Sequence, residues 1–101
     1  MTILGKWQQP AGQAFPGLWF QFNPDGTFCA EYEDMGVDSN GTYTVNGDQI
    51  DMDQTAHSFG MLGKFLGLWR VEGETLYMAV GQTNGARPAD LSGARIYHKI
   101  G

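Results

Sequence analysis

Two stretches of this chain repeat a pattern that no helix accommodates. Gly41-Thr42-Tyr43-Thr44-Val45-Asn46-Gly47-Asp48-Gln49-Ile50-Asp51-Met52 and Gly67-Leu68-Trp69-Arg70-Val71-Glu72-Gly73-Glu74-Thr75-Leu76-Tyr77-Met78 share one template. Both read Gly-x-aromatic-x-Val-x-Gly-acid-x-aliphatic-x-Met. Apolar side chains recur at every second position, whereas a helical stripe recurs at a period of roughly 3.6 residues. Each stretch is therefore a β-hairpin, with Asn46-Gly47 and Glu72-Gly73 as its two-residue turn.

That placement predicts Val45 opposite Asp48, Tyr43 opposite Ile50 and Gly41 opposite Met52. Tyr43, Val45, Ile50 and Met52 then share one side, and Thr42, Thr44, Gln49, Asp51 and Asp53 form a polar, wet one. In the later hairpin Trp69, Val71, Leu76 and Met78 share the inner side. Its outer side holds Leu66, Leu68, Arg70, Thr75, Tyr77 and Ala79, which is largely apolar. A strand apolar on both sides has something packed on each.

A third turn, Asn23-Pro24-Asp25-Gly26, separates Phe20-Gln21-Phe22 from Thr27-Phe28-Cys29-Ala30. Proline presets one turn angle and glycine accepts a positive φ. The remaining alternation predicts strands near 3–9, 17–23, 27–34, 41–45, 48–53, 65–71, 74–80 and 94–100. Two connections rich in Gly and small polar residues, 54–64 and 81–93, join them. The 101 residues fit one domain spanning 1–101. Eight short antiparallel strands in an up-and-down meander close most economically into a barrel, which removes exposed edges. A two-sheet sandwich is the alternative all-β architecture.

Charge excludes some roles. The formal net charge is −5, with six Lys plus Arg scattered along the chain, so a nucleic-acid backbone finds no positive cluster. Cys29 is the only cysteine and has no internal disulfide partner. No stretch approaches the roughly 18 apolar residues of a membrane span, and the start lacks the basic and apolar regions of a signal peptide. If residue 1 is the native start, a cytoplasmic location is expected.

Gly5-Lys6-Trp7 resembles the Gly-x-Trp of lipocalins and other calycins. The resemblance implies a Trp across the closed barrel end, covered by a basic residue of the last strand, here Arg95 or Lys99. The run from Gly67 to Leu76, followed by Arg87-Pro88-Ala89-Asp90-Leu91, is similar to a bacterial family of small lipocalin-like domains without an assigned reaction. Asp25-Gly26-Thr27-Phe28 and Gly41-Thr42-Tyr43 extend the likeness over most of the chain. It implies a calycin-like barrel and brings no catalytic residues with it.

Residue chemistry points the same way. His57, Ser58 and Asp53 lie too close in sequence to converge as a triad, whose groups come from fixed scaffold positions. The acids Glu31, Glu33, Asp34 and Asp38 match no calcium-loop spacing, and Asp51 and Asp53 fall on the wet side. Cys29, near Glu31 and Glu33, lacks a partner that would lower its pKa. The expectation is a non-enzyme without metal or cofactor.

His98 alternates with Ile96 and Ile100 and is expected to point inward. With Phe20, Phe22, Tyr32, Tyr43 and Trp69 it forms the predicted lining of a small apolar or aromatic ligand pocket. Eight strands enclose an interior either just filled or able to hold one small ligand. So many bulky residues in so short a chain favour a filled one. The competing expectation is a self-associating module, most simply a homodimer. Its interface would use Phe59, Met61, Leu66, Leu68 and Tyr77, unless a long connection folds back over them.

Overall fold

The computed structural model describes residues 2–101 and is a closed, antiparallel, up-and-down barrel of eight strands. The strands are β1 Gly5–Gln8, β2 Trp19–Phe22, β3 Thr27–Tyr32, β4 Val37–Asn46, β5 Gln49–His57, β6 Gly63–Glu72, β7 Thr75–Val80 and β8 Arg95–Lys99. A single 3₁₀ turn, Glu33–Met35, links β3 to β4, ending at Gly36 in the left-handed region. Each strand pairs with the next, and β8 returns to β1 through Trp7 opposite Lys99 and Gln8 opposite His98. Among the described residues no helix is long and apolar enough to cross a membrane.

Both repeated hairpins are present, and the facing of their side chains is as the alternation predicts. Their register is not. Val45 lies opposite Ile50, Tyr43 opposite Met52 and Asn46 opposite Gln49, so the turn residues are Gly47 and Asp48. The later hairpin does the same, with Glu72 opposite Thr75 around Gly73 and Glu74. A type I′ turn at Asn46-Gly47 needs positive φ at both residues, and only Gly47 adopts it, at 61°. Glycine instead takes the first central position, as a type II′ turn requires. The pairing slides by two, an even number, so no side chain changes face.

A β-bulge between Asn40 and Gly41 corrects the expected pairing further along: Ser39 faces His57 and Gly41 faces Gln54. Gly41 is buried, and a Cβ there would drive into the Asp53 carbonyl. The bulge lengthens β5 to His57 and bends the ribbon, as bulges do at barrel rims.

The core occupies one half of the barrel. The short β2–β3, β4–β5 and β6–β7 turns crowd their end, and Trp7, Phe22, Phe28, Ile50 and Leu76 fill it. Each such side chain contributes roughly 1.5–3 kcal/mol by leaving water. Trp7, 1% exposed, donates from Nε1 to the Ile3 carbonyl at 2.7 Å. The Lys99 ammonium sits over its ring at 5.5 Å. Tyr43 seals the same end, its hydroxyl donating to the Asn23 carbonyl at 2.8 Å.

The doubly apolar β6–β7 hairpin finds its outer cover within the chain. The segment after β7 doubles back: Gly81 N–H donates to the Leu66 carbonyl at 2.9 Å and Asn84 N–H to the Lys64 carbonyl at 2.7 Å. Arg87 then reaches across the β5–β6 pair. Its Nη1 donates to the carbonyls of Gly67 (2.7 Å) and Ile50 (3.2 Å), and its Nη2 to the Asp51 carboxylate at 2.5 Å. Leu68 is left 8% exposed.

Candidate functional site

The β1–β2, β3–β4, β5–β6 and β7–β8 connections meet at the opposite end, and there the barrel is not filled. A cavity of about 370 Å³ opens between the strands. Its origin is a small pair on one rung. Phe20 faces Ala30, Ala30 faces Ser39, and Ser39 faces His57. All four line the space, and the two central side chains are too short to reach across it. Phe28, Met52, Phe65 and Met78 form the floor and far wall. The expectation of a filled interior thus holds for the turn-crowded half and fails for this one.

The polar groups of the cavity have defined roles. Gln9, 2% exposed, donates from Nε2 to the Tyr97 hydroxyl at 3.1 Å and accepts the Phe15 N–H at its Oε1 (3.0 Å). Burial holds the Tyr97 phenol above its ordinary value, with the Gln9 hydrogen bond and the Arg95 charge pulling the other way. At neutral pH Tyr97 is therefore a phenol. Since it accepts from Gln9, its own hydrogen is free to be donated.

Gln54 donates to the Met61 carbonyl at 2.6 Å, fixing the β5–β6 connection at the rim. His57 accepts the Phe59 N–H at Nδ1 (3.0 Å), so its neutral ring carries hydrogen on Nε2. Arg95, at the start of β8, lies with its guanidinium 5.3 Å from the Phe15 ring centre.

Of the predicted pocket residues, the structure brings only Phe20 to the cavity. Phe22 is buried in the filled half, its ring 5.0 Å from that of Tyr43, which closes the end. Trp69 packs against that core, with an indole N–H that has no partner among the described residues. Tyr32 lines a separate notch of about 150 Å³ beside Trp19 and Glu33, edge-on to Phe15 at 6.0 Å.

His98 is exposed, a correction to its inward placement. The inward positions of β8 are Arg95, Tyr97 and Lys99. Lys99 faces Trp7 at the barrel's end, with its ammonium over the ring. A charged residue at an inward position hid the true alternation. Arg95, weighed from sequence only as a cover for Trp7, sits at the other end. Gln9, Ser39, Gln54 and Tyr97 carried no sequence signal that distinguished them from ordinary strand residues.

The predicted interface residues divide. Phe59, 67% exposed, and Met61, together with Leu62, stand out on the β5–β6 connection, and Met61 also borders the cavity. Leu66 and Tyr77 are half-buried, the latter under the Arg70 guanidinium at 5.0 Å. Leu68 is buried, next to the Gly67 carbonyl that Arg87 of the returning segment reaches, and offers no free surface.

Burial also pushes the Cys29 thiol up, Glu31 adding to the rise and Lys6 opposing it. Among the described residues no three His, Cys, Asp or Glu side chains converge as metal ligands. Fold and site together define a class: a closed eight-stranded meander with one packed end and one hollow end. Comparison with protein-family models, curated proteins and solved structures returned no match.

Proposed function

We propose that the protein is a non-catalytic, lipocalin-like binding module that holds one small apolar or aromatic ligand in the hollow end of its barrel. The observation that carries this reading is the 370 Å³ cavity with aromatic and thioether walls and the Gln9–Tyr97 pair set into them. Ligand sites are typically concave, mostly apolar and marked by a few placed polar groups, with volumes of roughly 300–1,000 Å³. This cavity lies at the small end of that range, which suits a compound of up to three rings or a short chain.

Native mass spectrometry with added N-phenyl-1-naphthylamine tests the reading. The expected result is a one-to-one adduct that Ala30→Trp, which fills the space from within, abolishes while the barrel stays folded. An adduct that survives Ala30→Trp, or none with the natural chain, contradicts it.

The exposure of Phe59, Met61 and Leu62 on one short connection favours a second reading, self-association through that rim as a homodimer. Light scattering at micromolar concentration separates the two: a dimer that Phe59→Ser dissociates supports it, and the mass of a single chain refutes it.

A further inference from the structure

The chain carries 11 Asp plus Glu against six Lys plus Arg, yet its cavity inverts that balance. Among the described residues no Asp or Glu lines the cavity, and Arg95 does. Of the arginines, Arg70 is near Glu72 at 3.8 Å and Arg87 is paired with Asp51. Among the described residues Arg95 has no carboxylate partner, and its guanidinium rests on the Phe15 ring.

An arginine offers five N–H donors and no acceptor. The neighbouring groups repeat that polarity. Tyr97, two residues on along the same inward face, has its oxygen occupied by Gln9 and its hydrogen free. His57, on another wall of the cavity, has its acceptor nitrogen occupied by Phe59. Ser39 and Gln54 also line the space with oxygens that can accept, so what sets the site's polarity is the positive charge of Arg95 and its N–H donors, which no carboxylate meets among the described residues. A ligand that completes this arrangement brings the acceptors and a negative charge.

Resting on the binding reading above, we propose that the cavity selects an amphiphile with one anionic head, a carboxylate. The head is held at the rim by Arg95, and the apolar body lies against Phe20, Phe28, Met52 and Phe65. The geometry orders the two parts. Arg95 is exposed at the mouth, where a carboxylate keeps some of its water, while Tyr97 is 4% exposed and reads the inner side of the head group. A charged head buried on the apolar floor would lose its hydration with no donor to replace it.

Octanoate and octan-1-ol share a tail and differ in the head, so their dissociation constants, read from ¹H–¹⁵N shift titrations at neutral pH and low salt, isolate the charge. Octanoate is expected to bind about tenfold tighter, the advantage of a charge-assisted hydrogen bond over a neutral one. Arg95→Met closes that gap by weakening octanoate alone, and Arg95→Lys keeps most of it. If the two compounds bind equally, or the alcohol binds better, the anion preference is wrong and the apolar pocket stands. A preference that survives Arg95→Met removes Arg95 from the role. If neither compound binds, the pocket reading falls and this inference with it.

Discussion

The Gln9 amide donates to the Tyr97 hydroxyl at 3.1 Å, tying the residue after β1 to β8 beside the seam where the barrel closes. That seam is short. β1 and β8 share two register pairs, supplemented by Ile100 N–H to the Lys6 carbonyl at 2.8 Å and Lys6 N–H to the Gly101 carbonyl at 3.0 Å. The same Gln9 amide oxygen holds the Phe15 N–H, so one buried side chain anchors both the closure and the loop over the cavity.

Gln9→Met keeps the volume and removes both bonds. It leaves the Phe15 N–H without its acceptor and the buried Tyr97 hydroxyl without its donor. The expected cost is about 2 kcal/mol, since an orphaned buried polar group costs roughly 1–3 kcal/mol. Urea unfolding read by tryptophan fluorescence measures it, and a midpoint unchanged from the natural chain counts against the seam's dependence on Gln9.

Arg87 and Asp51 give an asymmetric pair. Arg87→Met abandons two backbone carbonyls as well as the carboxylate and loosens the returning segment next to Leu68. The expected loss is about 1–3 kcal/mol, together with faster proteolysis between residues 81 and 93. Asp51 is half-exposed, with 53% of its side-chain surface open. Asp51→Asn therefore costs less than about 1 kcal/mol, as exposed ion pairs do. Denaturation midpoints in the reverse order would show that the surface carboxylate, not the carbonyl contacts, holds the segment.

The bulge makes Gly41 irreplaceable. Gly41→Ala puts a methyl group into the Asp53 carbonyl across the pair, where backbone would have to move. A loss of about 3 kcal/mol or more is expected, at the upper end of overpacking costs. Gly93→Ala meets nothing within 4 Å and takes no positive φ, so its effect stays within about 0.5 kcal/mol. Thermal melts of the two variants check this, and a folded Gly41→Ala with an unchanged melt would contradict the bulge geometry.

Alkaline stability follows from the buried phenols. Burial raises Tyr97 above the ordinary value of 10.0, and Tyr43 as well, with Asp25 adding to the latter. The unfolded chain therefore loses these protons first. The contribution is fully present below pH 10 and is lost as pH rises through the folded-state values, because the native state then binds more protons than the unfolded one. Urea midpoints should hold up to about pH 9.5 and fall above it, less steeply in Tyr97→Phe. A Tyr97→Phe curve parallel to that of the natural chain would remove Tyr97 from the account.

The sequence made the strands and their facing legible because hairpin alternation survives errors in register. Placing the turn at Asn46-Gly47 misaligned every pair by two residues, yet Tyr43, Val45, Ile50 and Met52 still shared a side. The cavity was not legible in this way. It depends on Ala30 meeting Ser39, and that pairing is set by a 3₁₀ turn that no local pattern announced. His98 was misplaced because Ile96 and Ile100 share its parity, while the inward set mixes Arg95, Tyr97 and Lys99. The outer apolar face of β6 was correctly read as needing cover. Which segment supplied it depended on Arg87 reaching two carbonyls, a contact without a periodic signature.

The hollow end as ligand space is tested most directly by the methionine methyl groups. Met52 and Met78 line the cavity, whereas Met35 is 60% exposed on the 3₁₀ turn. In ¹H–¹³C spectra of methyl-labelled protein saturated with N-phenyl-1-naphthylamine, the Met52 and Met78 resonances should move under the aromatic rings while Met35 stays in place. Movement of Met35 with Met52 and Met78 unchanged, or no movement at all, would contradict an interior site.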